Sequence, residues 1–323
     1  MNDRIVTCLN RRGILSAIPL LPWALHSSEA CRSLECVRFG VITDVHQDVM
    51  HDAPERLKLF VDAMNEADVD FIIQLGDFCI PHPRNLEFME VWKSYKGSRY
   101  HVLGNHDMDG GYKPEQTVEY YGMPGRYYAF DSGSIRSLVL DTNEPGGTSR
   151  GYKKYIAKDQ LDWIERQLES SEKPVCVFLH HPLDEPKGIE NRAQVRALLE
   201  RAQARSGKIL GVFSGHFHED YHRTVGNIRY IQINSASYVW LGEVGARDTF
   251  HSEIHKKYPS LRSVAAYRDP LWAIVSIDFA SNQLRIEGRD SAWVGPDPWE
   301  RGAKESDYPK ETNKPAIQSR LIL

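Results

Sequence analysis

Seven side chains able to hold a cation appear in a fixed order along the 323-residue chain: Asp44 and His46 in DVH, Asp77 in LGD, Asn105 in LGNHD, His180 in LHHP, and His216 and His218 in GHFH. Each follows directly on an apolar run. DxH, GD or HH alone arises by chance in many proteins, but the ordered set is specific. A carboxylate must offer its lone pairs from a rigid position, and the last residue of a buried strand is such a position. Asp44 and His46 are two residues apart, which in an extended strand exit turns both to one side. His216 and His218 repeat that spacing, and at roughly 6 to 7 Å apart along an extended segment they would reach two neighbouring ions. Seven protein ligands over-supply a single ion. The mixture of imidazole, carboxylate and amide suits manganese, iron, cobalt, nickel or zinc better than calcium. Two divalent transition-metal ions sharing one carboxylate is the economical reading.

The elements that must position these residues are legible in the same stretches. VRFGVIT (37–43), DFIIQL (70–75), YHVL (100–103), VCVFL (175–179) and ILGVFS (209–214) are short, rich in branched and aromatic residues, and bounded by polar or glycine turns, which predicts buried strands. Between them the apolar spacing is helical: Leu57, Phe60, Val61 and Met64 after a capping box of Asp52 and Glu55, then Leu161, Ile164 and Leu168, then Val195, Leu198, Leu199 and Ala202. Strand and helix alternate, so the expected class is α/β. Further strands are expected at 228–233 and 271–279.

With DVH, GD, GNHD, HH and GHFH in this order, residues 44–218 resemble the calcineurin-like metallophosphoesterase family, in the branch whose motifs are GNHD and GHxH. The resemblance implies a four-layer α/β/β/α metallophosphoesterase sandwich with the site at the carboxyl ends of the strands. It implies that Asp44, His46 and His218 hold one metal, that Asn105, His180 and His216 hold the second, and that Asp77 bridges them. Adjacent residues on a strand exit point opposite ways and register is not readable from sequence, so His181 could exchange roles with His180; His180 is the expected ligand. His106, and Asn105 beside it, would meet the phosphate. The expected reaction is hydrolysis of small phosphodiesters or phosphomonoesters by a metal-bridging hydroxide. His106 would stabilise developing charge or protonate the leaving oxygen, with Asp107 as its orienting partner. Two departures narrow the family. Ile80 stands where purple acid phosphatases carry an iron-binding tyrosine, and GDFCIPHP lacks the arginine and second aspartate of the protein phosphatases' GDxVDRG.

Composition is that of an ordinary globule, 41% hydrophobic and 26% charged. The formal charge is −4, and residues 1–30 carry three basic and two acidic side chains, which leaves the remainder at −5. A nuclease gripping a duplex needs a basic face, so nucleic acid is not the expected partner. A nuclease, and a metal-stabilised binding protein without catalysis, stay as the alternative functions. The expected organisation is an export signal at 1–30, the metallophosphoesterase domain at 31–288 and an extended C-terminal tail at 289–323. Arg11 and Arg12 before the apolar stretch Ile14–Leu25, with small residues Ser28 and Ala30 after it, resemble a twin-arginine signal, which implies a periplasmic or extracellular protein with no transmembrane segment once the signal is removed. A buried amphipathic helix in a cytoplasmic protein, or a lipid anchor on Cys31, are the other readings of that segment. Five cysteines make no disulfide framework, and Cys31 and Cys36 are not expected to pair. His82, His101, His222, His251 and His255 are expected on the surface or in loops. The insert at 238–270, with Tyr238, Trp240, Arg247, Tyr258, Tyr267 and Arg268, is long enough to be functional, either as a lid over the cleft or as a loop packed on the sandwich. Oligomeric state is not readable.

Overall fold

The computed structural model describes residues 36–322. Two six-stranded sheets stack face to face. The first runs β14 (Arg320–Ile322), β13 (Gln283–Glu287), β12 (Ala273–Asp278), β1 (Cys36–Ile42), β2 (Phe71–Gln74), β3 (Ser98–His101). The second runs β4 (Tyr128–Ser132), β5 (Ile135–Val139), β6 (Val175–Phe178), β7 (Ile209–Ser214), β9 (Ile228–Gln232), β8 (Tyr221–Val225). Strands β1, β2 and β3 are parallel, as are β5, β6, β7 and β9, so their carboxyl ends share one edge of the sandwich.

Side-chain alternation explains the layering. In β6, Cys176 and Phe178 enter the core between the sheets, whereas Val175 and Val177 enter a second core on the outer face of the same sheet. That outer core is closed by the apolar stripes of α4 (Lys158–Ser170) and α5 (Arg192–Ser206), through Ile164, Leu168, Val195, Leu199 and Ala202. Between the sheets, Phe39 meets Phe178 and Phe213 edge-on with ring centroids 5.5 Å apart in both pairs. On the far side, α1 (Ala53–Ala67) and α2 (Leu86–Lys93) cover the first sheet. Met64 of α1 sits so closely over Gly40 of β1 that a Cβ there would fall 2.8 Å from Met64 Cγ. Helix, sheet, sheet and helix give the four-layer α/β/β/α sandwich. Beside the GNHD loop, α3 (Pro114–Tyr121) donates from Thr117 Oγ1 to the Asp107 carbonyl at 3.1 Å.

Some expectations need correction. The capping box at α1 does not form: Asp52 makes no side-chain cap, and its carboxylate instead accepts from Arg56 Nε at 2.7 Å. Arg56 is buried and also donates to the Tyr267 carbonyl at 2.6 Å, so Asp52 serves a tertiary contact rather than the helix end. Strands β4, β5, β8, β13 and β14 have no counterpart in the sequence reading, because their apolar residues are interrupted by polar ones. The insert is not a detached flap: β10 (Tyr238–Trp240) and β11 (Val264–Ala266) pair as a hairpin, with α6 (Ser252–Lys257) between them. The segment from 289 reaches that hairpin through Arg301, whose guanidinium is buried against the carbonyls of Gly245, Arg262 and Val264, and ends as edge strand β14. Cys36 is disulfide-bonded, and the expectation that it does not pair with Cys31 falls outside the described residues. The export-signal reading and Cys31 lie outside the described residues, among which no helix is long and apolar enough to cross a membrane.

Phe178→Ala should destabilise the protein by about 3–5 kcal/mol, the cost of truncating an aromatic side chain in a closed core. Denaturant unfolding followed by tryptophan fluorescence checks it; a shift below about 1 kcal/mol would mean the two sheets are not held together by these rings.

Candidate metal centre

The ladder between β1 and β2 continues past the strand ends into the site. Asp44 N donates to the Gly76 carbonyl, and His46 N to the Asp77 carbonyl, each at 3.0 Å. Over the same residues the chain departs from the extended geometry expected of DVH and GHFH. Asp44, His46, Asp77, His216 and His218 all have positive φ, between 51° and 76°. Left-handed backbone costs a non-glycine residue on the order of 1 kcal/mol or more, so these side chains are aimed at the expense of local comfort.

They meet at one place. Asp77 is nearly wholly buried; its Oδ1 accepts from His106 N at 2.8 Å, and its Oδ2 lies 3.7 Å from His46 Nε2 on one side and 3.2 Å from His180 Nε2 on the other. Around His46, Asp44 Oδ1 faces His218 Nε2 at 3.3 Å, and His46 Nε2 lies 3.2 Å from His218 Nε2. Around His180, Nε2 lies 3.2 Å from both Asn105 Oδ1 and His216 Nδ1. Asp44, His46 and His218 lie close enough to hold a metal ion together, as do His180, His181 and His216, and Asp44, Asp77 and His180, with Asn105 beside His180.

Groups behind the imidazoles fix which nitrogen each presents. His180 Nδ1 donates to the Leu75 carbonyl at 2.8 Å and His218 Nδ1 to the Tyr238 carbonyl at 2.7 Å, leaving Nε2 of each for the centre. His46 stacks on Tyr238 with ring centroids 5.0 Å apart. His181 is turned the other way in its first contact, Nδ1 lying 2.7 Å from Thr142 Oγ1, while its ring packs 4.1 Å from His216. His181 is close enough to count with His180 and His216 as a cation-binding group, but it lacks the contacts that His180 makes with Asp77 and Asn105.

The donor set fits metal ions. Among the described residues Asp44 Oδ1 and Asn105 Nδ2 are buried and make no hydrogen bond. Burial works against charge on Asp44, yet the neighbouring His218 and His180 hold its carboxyl below the ordinary range. Asp77 is held further below by His180 and His106, again against burial. Burial pushes His46 down to about 3 and His216 well below the usual imidazole range, so both are neutral, the form that binds metal. At His180 burial also favours the neutral ring, but Asp77 outweighs it and holds the ring up at about 9, the mark of a pocket that attracts positive charge.

His106 stands beside this cage rather than in it, and its partner is not Asp107. Its Nδ1 lies 2.7 Å from Asp109 Oδ2, and Tyr152 Oη joins both, 3.1 Å from Nδ1 and donating to Asp109 Oδ1 at 2.8 Å. Against burial, the carboxylates of Asp77 and Asp109 hold His106 up at about 9. Asp107 is buried and accepts from Phe78 N at 2.6 Å and Gly104 N at 2.7 Å, tying the GD loop to the GNHD loop. Asp109 lies two residues beyond the motif, and Tyr152 comes from a distant loop and carries no sequence signal. Nor are all the remaining histidines superficial: His101 is buried against Gln74 at 3.0 Å, and His255 is buried with Nε2 accepting from Thr249 N and Phe250 N at 3.0 Å. A cleft of about 790 Å³ opens at the cage, and Trp240 and residues 306–309 and 311–313 help to line it.

Residues 37–220 match the calcineurin-like phosphoesterase family. A 3',5'-cyclic-nucleotide phosphodiesterase of Nostoc sp. is 24% identical over 233 residues, which is 68% of this chain and 80% of that protein. A glycerophosphodiester phosphodiesterase of Enterobacter lignolyticus is 30% identical over 99 residues, 28% of this chain and 33% of that one. In fold, a dimetal phosphatase from Danio rerio superposes with a TM-score of 0.56 at 15% identity, covering 80% of this chain and 98% of the other.

Gly104 is the tightest point of the centre: a Cβ there would collide with Asp77 N and Asp77 Oδ1. Gly104→Ala should therefore displace Asp77 and lower bound metal at least about tenfold in apparent affinity, as loss of groups that orient ligands does, with far-UV circular dichroism unchanged. Titration with manganese checks it, and parental affinity would show that Asp77 is not held from Gly104.

Proposed function

Because the chain belongs to the calcineurin-like phosphoesterase family and is a hydrolase of phosphoric esters, we propose that it hydrolyses small phosphate esters at a pair of divalent transition-metal ions. The observation that carries this is the position of Asp77 Oδ2, within 3.7 Å of His46 Nε2 and 3.2 Å of His180 Nε2, where one carboxylate serves two adjoining groups of donors. Asp44, His46 and His218 form one group, and Asn105, His180 and His216 the other. Bound there, the ions supply the positive charge that polarises the phosphoryl oxygens and makes a water acidic enough to attack at phosphorus.

The chain's own residues do the rest. Asn105 Nδ2, which has no other partner among the described residues, donates to a phosphoryl oxygen. His106, with Nδ1 committed to Asp109 and Tyr152, keeps Nε2 for the substrate, and its raised titration keeps the ring protonated at neutral pH. It can give that proton to the leaving oxygen as the P–O bond breaks. The relatives' names, a cyclic-nucleotide and a glycerophosphodiester phosphodiesterase, support a small ester as substrate. The formal charge of −4 gives no support to a nuclease. The arginine pair at Arg11 and Arg12 before an apolar stretch supports export of the folded protein as part of the same reading.

Purified protein loaded with manganese should carry about two ions per chain and hydrolyse p-nitrophenyl esters of phosphate, with activity lost to chelator; an active protein with no bound metal sinks the reading. His106→Ala should lower kcat by about 10²- to 10⁴-fold, the usual contribution of a positioned acid, with metal content intact. Loss of metal instead would move His106 into the ligand set. N-terminal sequencing of mature protein tests export, and a start at Met1 ends that part.

A further inference from the structure

The side of the cleft facing the metal cage is built by a segment far away in sequence. Glu219 and Asp220, directly after His218, clamp the end of the chain. Asp220 N donates to the Thr312 carbonyl at 2.9 Å, the Asp220 carboxylate accepts from Gln318 N at 3.0 Å and pairs with Arg320, and Glu219 Oε1 lies 3.5 Å from Asn313 Nδ2. Asp220 and Asn313 are buried. The chain between Ser306 and Asn313 is thereby held at the cleft that His46, Asp77 and His106 also line, with Tyr308 packed on the core and Trp240 lining the same cleft.

Two properties of this wall bear on what it receives. The first is shape: Trp240 stays 48% exposed and, with the half-buried Tyr308, lines a cleft of about 790 Å³, far larger than a phosphate alone fills. The second is charge. Arg223 is committed to Glu185 and Asp184, and Lys310 lies 3.9 Å from Glu305, whereas Glu219, Asp307 and Glu311 make no ion pair among the described residues; Lys187 also lines the cleft. Such a wall repels the second negative charge of a monoester and tolerates the single charge of a diester.

We propose that Trp240 and residues 306–313 form the subsite for the second alcohol of a phosphodiester, so that the preferred substrates are diesters whose second alcohol is uncharged or cationic. This rests on the phosphoesterase reading above and names the substrate class within it. Water enters at phosphorus, one P–O bond breaks, and the leaving alcohol takes the proton; the second alcohol stays on the monoester product, which the same wall disfavours rebinding.

The test compares bis-p-nitrophenyl phosphate and p-nitrophenyl phosphorylcholine with p-nitrophenyl phosphate on manganese-loaded protein. The parent protein should favour both diesters in kcat/KM. Trp240→Ala, Tyr308→Ala and the double variant Asp307→Asn/Glu311→Gln should each lower the ratio of diester to monoester kcat/KM about 3- to 10-fold, as expected for loss of one aromatic contact or of local charge. In the two aromatic variants the loss should fall on diester KM, and in the double charge variant the change should fall on the monoester as a lower KM, with metal content and circular dichroism matching the parent in all three. Equal losses on diester and monoester, an unchanged ratio in all three variants, or a parent that favours the monoester overturn the proposal while leaving the phosphoesterase reading intact. A parent that hydrolyses none of the three overturns both.

Discussion

Two carboxylates, Asp44 and Asp77, are withdrawn from water inside a ring of imidazoles, and the requirement to compensate that buried charge governs the surrounding architecture. An isolated carboxylate in such a place would protonate. Here both are held in the charged range by neighbouring histidines, and Asp44 Oδ1 makes no hydrogen bond among the described residues. The arrangement suits a cage that accepts cations. Close approach at Gly104, carbonyls of Leu75 and Tyr238 behind two of the rings, and the Asp107 carboxylate linking two loops all serve to keep the donors from relaxing away from one another.

The sandwich makes that rigidity available. Donors come from the ends of β1, β2, β3, β6 and β7, which belong to two different sheets, so their convergence depends on the sheets' mutual placement. The edge-on packing of Phe39 against Phe178 and Phe213 sets it. A helix-based scaffold would need several independent packing contacts to bring five segments together; here one aromatic layer between two sheets does so, and the parallel strands on either side deliver every donor to the same edge.

Much of this was legible in the sequence, and the physical reason is periodicity. Buried strands of branched residues announce themselves, and a polar residue at the end of each is conspicuous, so the seven side chains that converge could be named and the α/β class inferred. What could not be read is what depends on neighbours distant in the chain. Positive φ at five of the donors replaces the extended exit that DVH and GHFH suggest. The choice of Asp109 over Asp107 as partner of His106 turns on which carboxylate the Phe78 and Gly104 amides have already engaged. Asp52 looks like a helix cap until Arg56 is seen to claim it. Strands such as β4 and β8, in each of which only the first residue is buried, lack the uninterrupted apolar run that marks a central strand. The C-terminal segment gave no sign of reaching the cleft, because its prolines and charges are those of a surface strap.

The left-handed backbone at Asp44, His46, Asp77, His216 and His218 also constrains how this protein could change over evolutionary time. Aspartate, asparagine and histidine tolerate that conformation better than other residues bearing a Cβ, and glycine tolerates it best. A descendant freed from catalysis would therefore not drift at random at these five places. Branched replacements would be purged for folding reasons alone, while asparagine or glycine would survive, so a retired copy of this scaffold would carry its history as a row of small or amide residues where the donors once stood.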